Sequence, residues 1–237
     1  ALRTALASLL DRLDAELARA RRFAASAAHE LRTPLTKILA ELELARETSD
    51  DATRVGLVRI ERTTTRLATL TERLLLLATP HEALATDTGA SLSQVAEELA
   101  RTRSPSEMAR IDVVTGDPDA WVRGDEVLLA AMLDNVVDNA LKYSRGRVRV
   151  SVCEVDHDAV LVVADEGPGI PETLARDAFL PFRRGQDAQG TPGHGLGLAL
   201  VAHIARAYEG GVELVEPTRP GARVRIRLPL RRRPARD

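Results

Sequence analysis

Asp134-Asn135-Val136-Val137-Asp138-Asn139-Ala140-Leu141-Lys142-Tyr143 is the stretch around which the second half of this chain is arranged. It closes a run from Asp125 whose apolar residues recur at helical spacing, so a long amphipathic helix is predicted over Asp125 to Tyr143. On that helix Asn135, Asp138, Asn139 and Lys142 stand three and four residues apart, on one side. Amide and carboxylate oxygens suit Mg²⁺, which keeps several waters and binds together with nucleotide phosphates, and a lysine ammonium one turn on supplies a charge for those phosphates. Taken alone, the plainer reading of a solvated polar face would prevail.

Downstream, Val163-Ala164-Asp165-Glu166-Gly167-Pro168-Gly169-Ile170-Pro171 sets an acidic residue at a strand end before two glycines. A second cluster, Gly193-His194-Gly195-Leu196-Gly197-Leu198, leads into a helix, where glycines let backbone N–H groups approach phosphate oxygens. This is neither a Rossmann nor a Walker pattern. Between the clusters, Phe179-Leu180-Pro181-Phe182-Arg183-Arg184-Gly185 is an apolar loop that needs somewhere to dock, and Gly185 to Gly195 reads as a mobile lid. The same pass predicts a capped helix at Ser91 to Thr102 and a strand at Ile111 to Thr115. It adds strands at Arg147 to Val155 and Val160 to Ala164, a helix at Leu196 to Tyr208, and a closing pair near Gly211 to Val215 and Arg223 to Leu230. One sheet with helices on one face, an α/β sandwich, accommodates them.

Upstream the pattern changes. Leu10, Leu17, Ala24, Leu31, Ile38 and Ala45 recur every seven residues, with Leu13, Ala28, Leu35 and Leu42 between them, which predicts a long helix with a coiled-coil seam. Glu47 to Asp51 breaks the seam as a turn, and Ile60, Leu67, Leu70, Leu74 and Leu77 carry a second helix. A hairpin with one apolar stripe on each helix buries both best by pairing with a second copy, so a homodimeric four-helix bundle is expected. Beside the seam lies His29-Glu30-Leu31-Arg32-Thr33-Pro34-Leu35, in which Pro34 deprives the carbonyl of Glu30 of its helical donor and predicts a bend next to His29. Residues 80–90, with Pro80 and Gly89, read as a linker between the hairpin and the α/β domain.

Composition fits two unequal domains: of 237 residues, 44% are hydrophobic but only 3% aromatic, which favours Leu, Ala and Val packing. The 33 basic and 35 acidic residues leave a net charge of −2, so no general attraction to nucleic acid or anionic lipid is expected, and the arginine-rich 231–237 reads as a solvated tail. The single cysteine, Cys153, falls in the alternating run Val148 to Val155 and is expected as a half-buried strand thiol; one cysteine excludes an internal disulfide, which suits a reducing cytoplasm. No apolar run approaches the roughly 20 residues that cross a bilayer.

In order and spacing, HELRTPL, DNVVDNALKY, DEGPGIP, FLPFRR and GHGLGL resemble the H, N, G1, F and G2 boxes of sensor histidine kinases, and the resemblance covers nearly the whole chain. It implies an α+β, two-domain protein: residues 23–79 as the dimerisation and phosphotransfer domain, residues 91–230 as a catalytic ATP-binding domain of the Bergerat type, and residues 1–22 as a signalling helix. By the same resemblance the natural protein would be longer and membrane-anchored through an upstream segment, this chain being its cytoplasmic portion, with a receiver-domain response regulator as partner.

Carried over residue by residue, the resemblance makes His29 the phosphorylated residue and Asn139 with Asn135 the contacts to Mg²⁺ and ATP. Lys142 becomes a phosphate contact, Tyr143 the adenine side, and Asp165 the acceptor of a hydrogen bond from the adenine amino group. Gly167, Gly169, Gly193, Gly195 and Gly197 would shape the pocket and lid. An imidazole with its ordinary pKa of about 6.5 is largely neutral and nucleophilic near pH 7. Glu30 would fix its tautomer, and Thr33, four residues on, would position a water for dephosphorylating the partner. Another Bergerat ATPase, or a silent dimeric scaffold, is the alternative expectation.

Overall fold

The computed structural model describes residues 28, 31–43, 45–46, 51–116, 119–183, 194–215 and 221–233. His29, Glu30 and Gly193, the expected lead-in helix 1–22, the 47–50 turn and all of the expected lid except His194 and Gly195 lie outside them. The chain divides at Thr79/Pro80 into two compact units.

Among the described residues the first unit shows two helices, α1 over residues 31–43 and α2 over Asp51–Ala78. The Arg46 guanidinium donates to Glu61 Oε2 at 2.7 Å and ties residues past α1 to α2. Each helix turns one seven-residue line inward: Ala28, Leu35 and Leu42 on the first side, Thr64, Thr71 and Ala78 on the second. The second line departs from the expected seam, for Ile60 and Leu67 lie exposed. Small residues at the contact allow the helices to approach closely, and Thr71 satisfies its hydroxyl on the Leu67 carbonyl at 2.7 Å, so a threonine is tolerated there. Leu31 and Ile38 on α1 are exposed in the same way, which leaves a second apolar stripe on each helix.

The second unit is built on a five-stranded sheet with strand order β2-β4-β5-β7-β6. Its strands are β2 (Ile111–Thr115), β4 (Val148–Val155), β5 (Asp158–Asp165), β6 (Gly211–Leu214) and β7 (Arg223–Pro229). β2 and β4 pair in parallel and the remaining ladders are antiparallel. Val148, Val150 and Val152 on β4, Leu161 and Val163 on β5, and Ile226 and Leu228 on β7 alternate onto one face and are buried. Three helices cover that face: α4 (Leu92–Thr102), α6 (Glu126–Tyr143) and α8 (Gly197–Ala207). The α/β sandwich predicted from the sequence is therefore present.

Residues 80–90 do not form a bare linker. They hold the short helix α3 (His81–Leu84) and strand β1 (Gly89–Ser91), which pairs antiparallel with β3 (Trp121–Arg123). His81 Nε2 and His203 Nδ1 share a hydrogen bond of 3.0 Å between α3 and α8. The buried Tyr208 hydroxyl donates to the Leu84 carbonyl and accepts from the Asp125 N–H, so one phenol connects α3, the start of α6 and the end of α8. Two further short helices are α5 (Pro105–Met108) and α7 (Glu172–Ala175). Cys153 is exposed on β4 rather than half-buried, because it points to the sheet face that the three helices leave open.

Candidate functional site

α6 starts at Asp125, whose Oδ1 accepts from the N–H groups of Val127 (2.9 Å) and Leu128 (3.2 Å), an N-cap that fixes the helix register. That register carries Asn135 into the interior at 6% exposure, with Asn139 and Lys142 half-buried beyond it. Asn135 Nδ2 donates to the Ala131 carbonyl at 2.7 Å. Its Oδ1 is buried and, among the described residues, has no hydrogen-bond partner. An acceptor left unmade costs about 1–3 kcal/mol, so a donor or cation reaching this oxygen would be stabilised there.

Gly197, the first residue of α8, lies against this point: a side-chain carbon there would stand 3.2 Å from Asn135 Oδ1 and 3.4 Å from Asn139 Nδ2. The second glycine cluster therefore meets the two asparagines directly. The Asn135 amide oxygen beside a helix N-terminus, with the Asn139 side-chain amide next to it, suits a hydrated Mg²⁺ carrying phosphates.

The far end of the site is Asp165, at the end of β5. Its Oδ1 accepts from the N–H groups of Gly167 (2.7 Å) and Ala222 (3.2 Å), while its own N–H donates to the Ala222 carbonyl at 3.0 Å. Neither of these bonds uses Oδ2, and among the described residues backbone N–H groups orient the carboxylate. Gly221 closes the cluster with an N–H donated to Gly167 O at 2.8 Å. Gly221 has φ +83, and a side chain there would strike Asp165 O at 2.1 Å. A side chain on Gly167 would meet Asp165 Oδ1 at 2.8 Å and Tyr143 O at 2.9 Å, so Asp165 lies close to the end of α6. Tyr143 is exposed, and the Lys142 ammonium sits 4.8 Å from the centre of its ring.

The apolar loop and the second glycine cluster also meet. The Phe182 N–H donates to Gly195 O at 2.9 Å, and Gly195 adopts φ +70 with the Arg183 carbonyl where a side chain would stand. Gly169 is likewise left-handed, with φ 84. Asp138, in contrast, leaves the polar face proposed for it. Arg103 in the α4–α5 corner binds Asp138 at 2.6 Å and also pairs with Asp134, on the outer side of α6. Burial alone would lower the pKa of the Arg103 guanidinium, but the hydrogen bond and charge of Asp138, with Asp134, outweigh it and hold it above the ordinary arginine value. Neither Arg103 nor the amides of Gly167 and Ala222 emerged from the sequence, since a lone arginine and two loop N–H groups carry no spacing signal.

Two family models match the chain. Residues 19–83 match the His Kinase A (phospho-acceptor) domain, and residues 124–232 match the histidine kinase-, DNA gyrase B- and HSP90-like ATPase. The sensor protein kinase PmrB of Pseudomonas aeruginosa is 33% identical over 217 residues, covering 87% of this chain and 44% of PmrB. The sensor protein CutS of Streptomyces coelicolor is 32% identical over 234 residues, covering 94% of this chain and 56% of CutS. The chain thus spans about half the length of these curated relatives. Among solved structures, the mycobacterial sensor histidine kinase MprB superposes with TM-score 0.53 at 31% identity, over 62% of this chain and 100% of that one. Full-length ShkA in complex with AMPPNP superposes with TM-score 0.74 at 26% identity, over 90% of this chain and 47% of ShkA.

Proposed function

This chain belongs to the sensor histidine kinase family, and from that premise we propose that it transfers the γ-phosphoryl group of ATP to His29 and then to an aspartate of a response-regulator receiver domain. The observation that carries the reading is the orphaned Asn135 Oδ1, with Asn139 and Gly197 beside it, midway along α6, and the backbone-anchored Asp165 next to the C-terminal end of the same helix. Eight residues of helix, about 12 Å, separate Asn135 from Tyr143. This span gives a phosphate end and a base end.

In this reading Asp165 uses Oδ2 to accept from the exocyclic amine of adenine, and the exposed Tyr143 lines the same end. Lys142 neutralises phosphate charge, and Gly193, Gly195 and Gly197 shape the lid and its hinge. Asn135 and Asn139 would hold Mg²⁺, which screens charge on the phosphates during transfer. His29 contributes a neutral ring nitrogen, and Glu30 holds the proton on the other, so the attacking lone pair is presented without a prior proton transfer. The exposed stripe of Leu31, Ile38, Ile60 and Leu67 supports a homodimeric four-helix bundle, since a second copy would cover it. No helix among the described residues is long and apolar enough to cross a membrane; membrane anchorage would come through a segment outside this chain.

Asn139→Ala tests the site. Titration with a fluorescent ATP analogue in Mg²⁺ should show nucleotide affinity reduced by about tenfold or more, while unchanged affinity would refute the role given to Asn139.

Thr33, exposed on α1 and four residues beyond His29, favours a second activity, dephosphorylation of the regulator through a water that it positions. Thr33→Ala should spare autophosphorylation and slow the loss of phosphate from the partner; equal decay rates would count against it.

A further inference from the structure

The chain that follows α6 is held by one side chain that bonds only to backbone. Arg110 immediately precedes β2, and its own carbonyl accepts from the Val148 N–H at 2.8 Å, so the parallel β2–β4 ladder fixes where that side chain starts. From there the half-buried guanidinium reaches the corner between α6 and β4: Nη2 donates to the carbonyls of Ser144 (2.6 Å) and Leu141 (3.4 Å), and Nε donates to the Gly146 carbonyl at 3.1 Å. Glu107 feels its charge, but every hydrogen bond of the guanidinium among the described residues goes to this corner. A cation at a helix C-terminus offsets the partial negative charge of the last carbonyls, and a forked donor can serve carbonyls that lie apart. The other side of the corner rests on the end of β5. Glu166 Oε2 accepts from the Arg147 N–H at 3.0 Å, Gly146 leaves no room for a side chain against Glu166, and the Tyr143 carbonyl stands against Gly167. The corner is therefore gripped between Arg110 and the turn at 165–167, with Tyr143 at its start.

We propose that Arg110 is a positioning residue for the nucleotide base: by holding the carbonyls of Leu141, Ser144 and Gly146 it fixes the gap between Tyr143 and the Asp165 carboxylate into which the adenine fits. This rests on the base end assigned above to Asp165 and Tyr143. Arg110 acts through the corner and does not itself touch the base. The phosphate end is held independently, since Asp125 caps α6 and Gly197 lies against Asn135 and Asn139, all ahead of the carbonyls that Arg110 binds. Loss of the guanidinium should therefore loosen the base end and leave the phosphate end in place. Lysine is an incomplete substitute, because one ammonium cannot span carbonyls that are reached here by two nitrogens, Nε and Nη2, of a planar fork. A role in stability alone would behave differently, lowering the affinity for every nucleotide alike whatever its base.

The test uses the full chain with Mg²⁺ and isothermal titration calorimetry, and compares ADP with purine riboside diphosphate, which lacks the exocyclic amine that Asp165 is to accept from. The unsubstituted chain should prefer ADP. Arg110→Gln should weaken ADP about tenfold, the scale of one charge-assisted hydrogen bond, and the amine-free nucleotide less than about threefold, so that the preference largely disappears. Arg110→Lys keeps the charge and should fall between, with ADP again losing more than the amine-free nucleotide; it decides the matter if the glutamine variant does not fold. Equal losses for the two nucleotides would reduce Arg110 to a stabilising role, and unchanged affinities would remove even that, so either overturns the proposal. A preference for ADP already missing in the unsubstituted chain would instead remove the assignment of Asp165, and this proposal with it.

Discussion

At the scale of single residues, Asp165 owes its geometry to groups with no side-chain signature. One of its two anchoring amides belongs to Ala222, 57 residues further along the chain, held in place by the left-handed turn at Gly221. An acidic residue at a strand end followed by glycines was visible in the sequence; its partners were not, because any residue supplies an N–H. Gly221→Ala should therefore act on the site through the fold. With φ +83 and only 2.1 Å to Asp165 O, it should cost about 1–3 kcal/mol, a fall in thermal midpoint of several degrees, and should weaken nucleotide binding as Asp165 is displaced. Gly211→Ala, where nothing lies within 4 Å, is the matched control and should leave both measurements close to those of the unsubstituted chain. Helical spacing put Asn135 and Asn139 on one side of α6, where both lie beside Gly197, but it also put Asp138 there, which instead pairs with Arg103: three- and four-residue intervals cannot say which flank of a helix meets Arg103.

Among the elements, those long enough to show a period read correctly. The strand Ile111–Thr115 and the helix Glu126–Tyr143 match the sequence expectation to within a residue. The pieces that escaped, α3, α5, α7, β1 and β3, have three or four residues each, about one helical turn or fewer than two alternations, so no periodicity exists to detect. For α5 a different signal was present. Ser104 and Glu107 have capping-box spacing, and Glu107 Oε2 accepts from Ser104 Oγ at 2.6 Å and Ser104 N at 3.2 Å. The Ser104 hydroxyl bond, aided by the backbone bond and by Arg103 and Arg110, outweighs burial and holds the Glu107 carboxyl below its ordinary value of 4.5. A depressed carboxylate contributes stability above its unfolded pKa and loses it as pH falls through the folded one. Glu107→Gln should accordingly lower the thermal midpoint slightly at pH 7, with the difference from the unsubstituted chain shrinking in scanning calorimetry as pH falls below 4.5 and through the depressed folded value.

Across the whole molecule, the sequence pattern placed a helical hairpin before an α/β sandwich, and the two compact units divide at Thr79/Pro80. The error lay in giving residues 80–90 to a linker: Pro80 and Gly89 break periodicity, yet the His81–His203 bond and the β1–β3 pairing make this segment part of the second unit. The hairpin seam was half legible, because heptads reveal apolar lines without saying which line faces the neighbouring helix and which remains for a second copy. Thr64 and Thr71 took inner positions that hydrophobicity alone would have assigned to leucines. A phosphoryl group passing from bound ATP to His29 would link the two units, and labelling measures that transfer directly. Incubated with γ-labelled ATP and Mg²⁺, the chain should acquire label that is lost in acid and retained in base, and His29→Gln should abolish labelling while leaving nucleotide affinity intact. Label that persists in the His29→Gln variant, or that survives acid, would contradict the account.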